Sequence, residues 1–125
     1  MERARLFAVA GLLVVLPVVS QGCVSTAKPL ETEADSLGFI TEIHPDRKGN
    51  VIGQIFVESH ADKIVSRYNV TITDETLIFQ QDGDNLRQVD FKMLENKQWV
   101  RIWFTGSVLE TFPAQATAEQ VVIEL

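Results

Sequence analysis

The sequence has little of several residue types on which many kinds of site depend. Cys23 is its only cysteine, and His44 and His60 are its only histidines among 125 residues. One cysteine excludes an internal disulfide, and two histidines leave few ligands for a zinc site. The chain also lacks a glycine-rich phosphate loop and a nucleophile elbow. We therefore predict no metal site, no cofactor and no enzyme activity.

The chain lacks an excess of basic charge as well. It carries 11 lysines and arginines against 17 acidic residues, and its formal net charge is −6. Residues 1–22 hold two arginines and one glutamate, so nine basic and sixteen acidic side chains remain beyond them, a net charge of −7. Such a surface repels phosphate backbones, and no basic stripe interrupts it. We predict no nucleic-acid binding, and any membrane association would need a covalent or hydrophobic anchor.

A hydrophobic run long enough to cross a bilayer is missing too. The uncharged run from Leu6 to Val19 has 14 residues, whereas a spanning helix needs roughly 20. Two arginines precede this run and small polar residues follow it, which is the layout of a secretory signal peptide. We predict that the protein is exported and that residues 1–22 are its signal peptide.

The single thiol follows this segment directly. Gly22-Cys23 and its distance from the apolar run resemble the end of a lipoprotein signal peptide, whereas Ser20 and Gln21 depart from the usual leucine and small residue. By that resemblance, Cys23 becomes a lipid-modified N-terminus that anchors the protein to a membrane of the cell envelope. Each buried methylene of such a lipid contributes about 0.8 kcal/mol to membrane binding, so two or more acyl chains hold the protein firmly on the bilayer. The alternative is cleavage after Ala27, which would release a soluble secreted or periplasmic protein.

The rest of the chain divides into two parts. Residues 23–36 are small, polar and acidic, which predicts a flexible tether. Residues 37–125 form one domain, because apolar residues recur there with the period of two that is typical of strands. Alternation is clearest in 39–44, 51–58, 64–73, 98–105 and 120–125, with shorter apolar segments at 76–79 and 108–112.

These segments favour an all-β fold. Five or six short strands, with one helical turn at 90–94, predict a small OB-like barrel, and a small sandwich is the alternative. Two polar turns are predicted, over 45–50 and 80–85, and Gly53 is expected to mark a bend or bulge in its strand.

A family resemblance lies mainly in the C-terminal part. Val100–Gly106, continued by Glu110–Ala118 and Val121–Ile123, resembles the YobA-like family of small exported bacterial proteins, which are often lipoproteins. Gly38-Phe39-Ile40 is similar to that family's opening strand. The resemblance spans about residues 37–125 and implies one OB-like domain of unknown function. It assigns no catalytic residue.

One patch is a candidate ligand-binding site. Trp99, Arg101 and Trp103 alternate along a strand, so both indoles flank the guanidinium on one face. An open face of this kind would bind a sugar ring, a peptide or a partner protein. Alternatively, both indoles cover a barrel end or pack under the helical turn while Arg101 reaches outward. We favour a non-catalytic envelope module with a protein or glycan partner. The ligand and the oligomeric state stay open.

The alternative function is a small hydrolase or a metal-dependent enzyme. It would use His44 and His60, both predicted at loop edges, if those loops meet; otherwise they are exposed loop residues. Turn carboxylates would complete the site, namely Asp74, Glu75, Asp82 and Asp84. Asp82–Asn85 resembles part of a calcium loop but lacks the closing glutamate, so a solvated turn is the preferred interpretation.

Overall fold

The computed structural model describes residues 27–61 and 64–124. The predicted signal peptide (1–22) and Cys23 lie outside the described residues. Seven strands and one 3₁₀ helix make up the fold: β1 (Ser36–Lys48), β2 (Val51–Ala61), β3 (Ile64–Thr73), β4 (Leu77–Asp82), β5 (Asn85–Val89), the 3₁₀ helix (Phe91–Met93), β6 (Trp99–Leu109) and β7 (Ala114–Glu124). The all-β prediction is therefore confirmed.

Five of these strands close into a barrel. β1 pairs with β2 and β6, β2 with β3, and β6 with β7, all antiparallel. The parallel pairing of β3 with β7 completes the ring. The order around the barrel is thus β1-β2-β3-β7-β6, as in an OB fold whose fourth and fifth strands are β6 and β7. The predicted OB-like barrel is confirmed.

The remaining two strands form a hairpin that extends the sheet beyond β7. β7 pairs with β3 through Ala114–Thr117 and then with β4 through Gln120–Ile123. β5 pairs only with β4 and forms the free edge of the sheet. Turns lie within both predicted ranges, 45–50 and 80–85, but each is shorter than predicted. β1 continues to Lys48 and β2 begins at Val51, while β4 continues to Asp82 and β5 begins at Asn85. The strand ends on either side of both turns are largely polar, so the sequence shows no alternation there.

Aliphatic side chains fill the barrel interior, as the period of two predicts. Val100 and Ile102 of β6 point inward and are fully buried. The other buried members of this core are Ile40, Ile55, Val57, Val70, Ile72, Ile78, Leu94, Ala118, Val121 and Ile123. The predicted helical turn is confirmed as the 3₁₀ helix, whose first amides are capped by Asp90 through a 3.0 Å hydrogen bond from Lys92 N.

A second, smaller cluster lies outside the barrel, where β6, β7 and β4 meet. Phe79, Trp103 and Val122 form it, and Leu30 and Ala34 pack against it from the preceding segment. Residues 27–35, which we call the arm, therefore lie on the barrel. The predicted flexible tether does not extend through the arm, because Leu30 and Ala34 are used in packing. Within residues 27–61 and 64–124, no helix has the length and apolarity needed to cross a membrane.

Candidate functional site

The structure separates the two tryptophans of the predicted patch. Trp99 is 48% exposed, whereas Trp103 is 4% exposed beneath the arm. The Nε1 of Trp103 donates to the backbone O and the Oγ1 of Thr32, each at 3.1 Å. An open platform with both indoles is therefore not formed, because a segment outside the strand covers one of them.

Arg101 lies between these two tryptophans in the sequence, and residues of other strands hold its side chain. Its Cζ is 5.6 Å from the centre of the Trp103 ring. Its guanidinium forms an ion pair with Glu124 of β7 and donates to Oε1 of Gln81 at 3.3 Å. The Arg101 side chain thus links β6, β7 and β4, and these contacts stabilise the fold.

Trp99 instead belongs to an aromatic row on the outside of the barrel. Its ring meets Phe39 of β1 edge-on, with the centroids 5.5 Å apart. Phe39 in turn stacks on His60 of β2 at 5.6 Å, with the two planes 10° apart. The sequence did not reveal this row, because its three members lie on three strands whose register only the fold defines.

A groove of about 400 Å³ continues this surface over β1, β2 and β3. Phe56 and Glu58 of β2 and Arg67 of β3 line its floor. Glu42 of β1 lines one side, and Phe112, in the loop between β6 and β7, lines the other. Phe112 is 80% exposed, the most exposed large apolar side chain of the described residues. None of these five residues belongs to a site predicted from the sequence.

Charge in the groove is concentrated on Glu58. Its carboxylate accepts hydrogen bonds from Nε2 of His60 at 2.9 Å and from Nε of Arg67 at 3.2 Å. These two donors, His60 first and then Arg67, lower the pKa of Glu58 because they stabilise the charged form. A similar pair lies on β1, where Glu42 and His44 are hydrogen-bonded at 2.8 Å and His44 packs against Phe56. The groove therefore presents fixed carboxylates beside aromatic rings.

The two histidines do not share a site. Both lie within strands rather than at loop edges, and His44 is paired with Gln54. His60 is six residues farther along β2 than Gln54, a separation of roughly 20 Å at about 3.3 Å per residue. The described residues contain no group of three or more His, Cys, Asp or Glu side chains suited to a metal ion. Asp74, in the turn after β3, and Asp82, at the end of β4, are exposed at different places. The arrangement needed by the hydrolase alternative is therefore absent from the part of the chain that the structure describes.

A second groove, of about 590 Å³, lies over β3, β7 and β6, and four threonines contribute to its lining. Thr71, Thr117 and Thr105 lie in register across β3, β7 and β6. Glu75 and Glu119 are at its rim. No aromatic side chain lines this groove, which makes it a weaker candidate than the one beside Phe112.

Comparison of the chain with family models, with curated proteins and with solved structures finds no match. The resemblance to the YobA-like family therefore stays a prediction.

Proposed function

We propose that this protein is an exported envelope lipoprotein whose barrel is a non-catalytic binding module. Its binding site is the groove over β1, β2 and β3. The observation that carries this proposal is the position of Phe112, which projects from the loop between β6 and β7 beside a floor of Phe56, Glu58 and Arg67. A large exposed apolar ring is costly in water unless a partner covers it.

The fold supports the same location. In OB barrels, ligands generally bind on the face of the second and third strands, between the loops that follow the first and fourth strands. The equivalents here are β2, β3, the turn after β1 and the loop that carries Phe112. Aromatic rings beside fixed carboxylates suit the faces and hydroxyls of a sugar, or a peptide with apolar and basic side chains. A protein or glycan of the envelope is the partner class we propose.

Site-specific photo-crosslinking in native envelopes tests this site. A photoreactive phenylalanine analogue replaces Phe112, and the matched control places it at Gln88, which is exposed on β5. We expect an adduct from position 112 that is absent from position 88 and is lost in the Arg67→Ala and Phe56→Ala variants. Protease and glycosidase digestion then identify the adduct as protein or glycan. No adduct, or the same adduct from both positions, would contradict the proposal.

The anchor is tested separately by metabolic labelling with a fatty acid. The apolar run followed by Gly22-Cys23 supports acylation of Cys23. We expect the label on the wild-type protein and none on Cys23→Ser, with both proteins exported. Exported but unlabelled wild-type protein would favour cleavage after Ala27 and a soluble product.

A further inference from the structure

Hydrogen bonds near both ends of the arm fix it to the barrel. Leu30 N donates to Oε1 of Gln120 at 2.7 Å, and Nε2 of Gln120 donates back to Leu30 O at 3.4 Å. Gln120 itself is 0% exposed. At the other end of the arm, Asp35 N donates to Ile102 O, and Phe104 N donates to Oδ2 of Asp35. These bonds continue the β1–β6 ladder toward the N-terminus.

Apolar packing reinforces these hydrogen bonds between their two ends. Leu30 and Ala34 cover Trp103, whose indole N–H is bonded to Thr32 in the middle of the arm. The buried side chain of Gln120 satisfies both backbone polar groups of Leu30, so neither group requires a hydrogen bond from water. The arm is therefore part of the folded domain and is not available as a spacer.

We infer that the docked arm halves the length of free chain between the proposed lipid anchor and the folded domain. The arm thereby orients the barrel on the bilayer. This inference rests on the proposed acylation of Cys23. A free tether from Cys23 to Leu37 could extend about 50 Å, whereas the seven residue steps from Cys23 to Leu30 reach at most about 25 Å. The bilayer surface therefore lies close to the arm.

The order of the strands then defines which face points away from that surface. In the ring β1-β2-β3-β7-β6, β2 lies opposite the junction of β6 and β7. The arm crosses this junction at Trp103 and Gln120, and the Phe56–Glu58 part of β2 forms the floor of the groove. A lipid attached through the arm therefore leaves the groove facing away from the bilayer, open to a partner in the aqueous space.

Energy transfer from the barrel to the membrane tests this orientation on the full lipid-bearing protein. Single cysteines carry a donor dye at one of two positions. One is Gln54 on β2, and the other is Gln88 on β5, which pairs with Phe79 of the cluster that the arm covers. Cys23 does not react with the dye if its thiol is acylated. The vesicles contain a lipid-linked acceptor. We expect higher transfer from position 88 than from position 54.

Leu30→Asp is the arm variant, because a charge cannot stay in the apolar cluster. It should abolish the difference between the two positions, whereas Glu31→Gln at an exposed arm position should preserve it. Equal transfer in the wild-type protein, or an unchanged difference in Leu30→Asp, overturns the inference while the anchor stands. Failure of the protein to take up a fatty acid overturns the proposed anchor and this inference together. Slow amide exchange at Leu30 and Asp35 reports arm docking independently of lipid, and fast exchange at both would overturn it.

Discussion

The ring of Phe91 lies where a side chain at Gly53 would have to be. A Cβ at Gly53 would lie 2.8 Å from Cζ of Phe91 and 2.7 Å from the carbonyl oxygen of His44. The ladder between β2 and β3 also shifts its register between Val51 and Gly53. The absence of a side chain at Gly53 therefore leaves the space in which Phe91 of the 3₁₀ helix packs against the barrel. The register shift agrees with the bend or bulge predicted at this position.

Gly53→Ala should destabilise the protein. The added methyl group collides with the backbone at His44, so relief would need movement of β1 as well as of Phe91. We expect the free energy of unfolding to fall by about 1–3 kcal/mol, as for other overpacked sites. Urea denaturation measures it. The reference is Ser66→Ala on β3, a partly exposed position where little change is expected. Equal stability of Gly53→Ala and the wild-type protein would contradict this packing.

The two tryptophans should differ in fluorescence. Trp103→Phe leaves only Trp99, whose emission should be red-shifted and readily quenched by iodide because the ring is half exposed. Trp99→Phe leaves only Trp103, whose emission should be blue-shifted and resist quenching beneath the arm. Equal quenching of both variants would show that the arm does not cover Trp103.

Gln120→Leu should loosen the arm without opening the barrel. The substitution keeps the buried volume but removes both hydrogen bonds to Leu30, which leaves a partly buried amide unpaired at a cost of roughly 1–3 kcal/mol. Hydrogen exchange should accelerate at Leu30, while the amides of the core strands remain protected. Gln115→Leu, at an exposed position of the same strand, is the control. Unchanged exchange at Leu30 would contradict the role of Gln120.

The carboxyl of Glu58 should titrate below its ordinary range. The pKa of Glu58 is lowered by hydrogen bonds from His60 and Arg67. Its contribution to stability is therefore complete above the unfolded-state value of about 4.3 and is lost as the pH falls through the lower folded value. An NMR titration checks the midpoint. His60→Phe, which keeps a ring beside Phe39 but removes the donor, should raise the pKa of Glu58. An unchanged midpoint would contradict the hydrogen bond.

The parts of the fold that depend on local pattern could be predicted from the sequence. The alternation of Val100 and Ile102 and the capping residue Asp90 are local signals, and each led to the correct element. Partners distant in sequence were not accessible in this way. Trp103 has the same alternation as Trp99, and only the folded arm distinguishes them. For the same reason, the sequence did not show that Phe112 and Arg67 line one groove, because this depends on the β3–β7 pairing that closes the barrel.

The double pairing of β7 has a consequence for how the molecule loses its structure. One half of this strand closes the barrel against β3 and the other half carries the β4–β5 hairpin. Detachment of β7 would therefore open the barrel and release the hairpin in the same event. Ile78 of β4 is also buried in the barrel core, so we expect heat or urea to unfold barrel and hairpin in one cooperative transition, with a single midpoint for every probe.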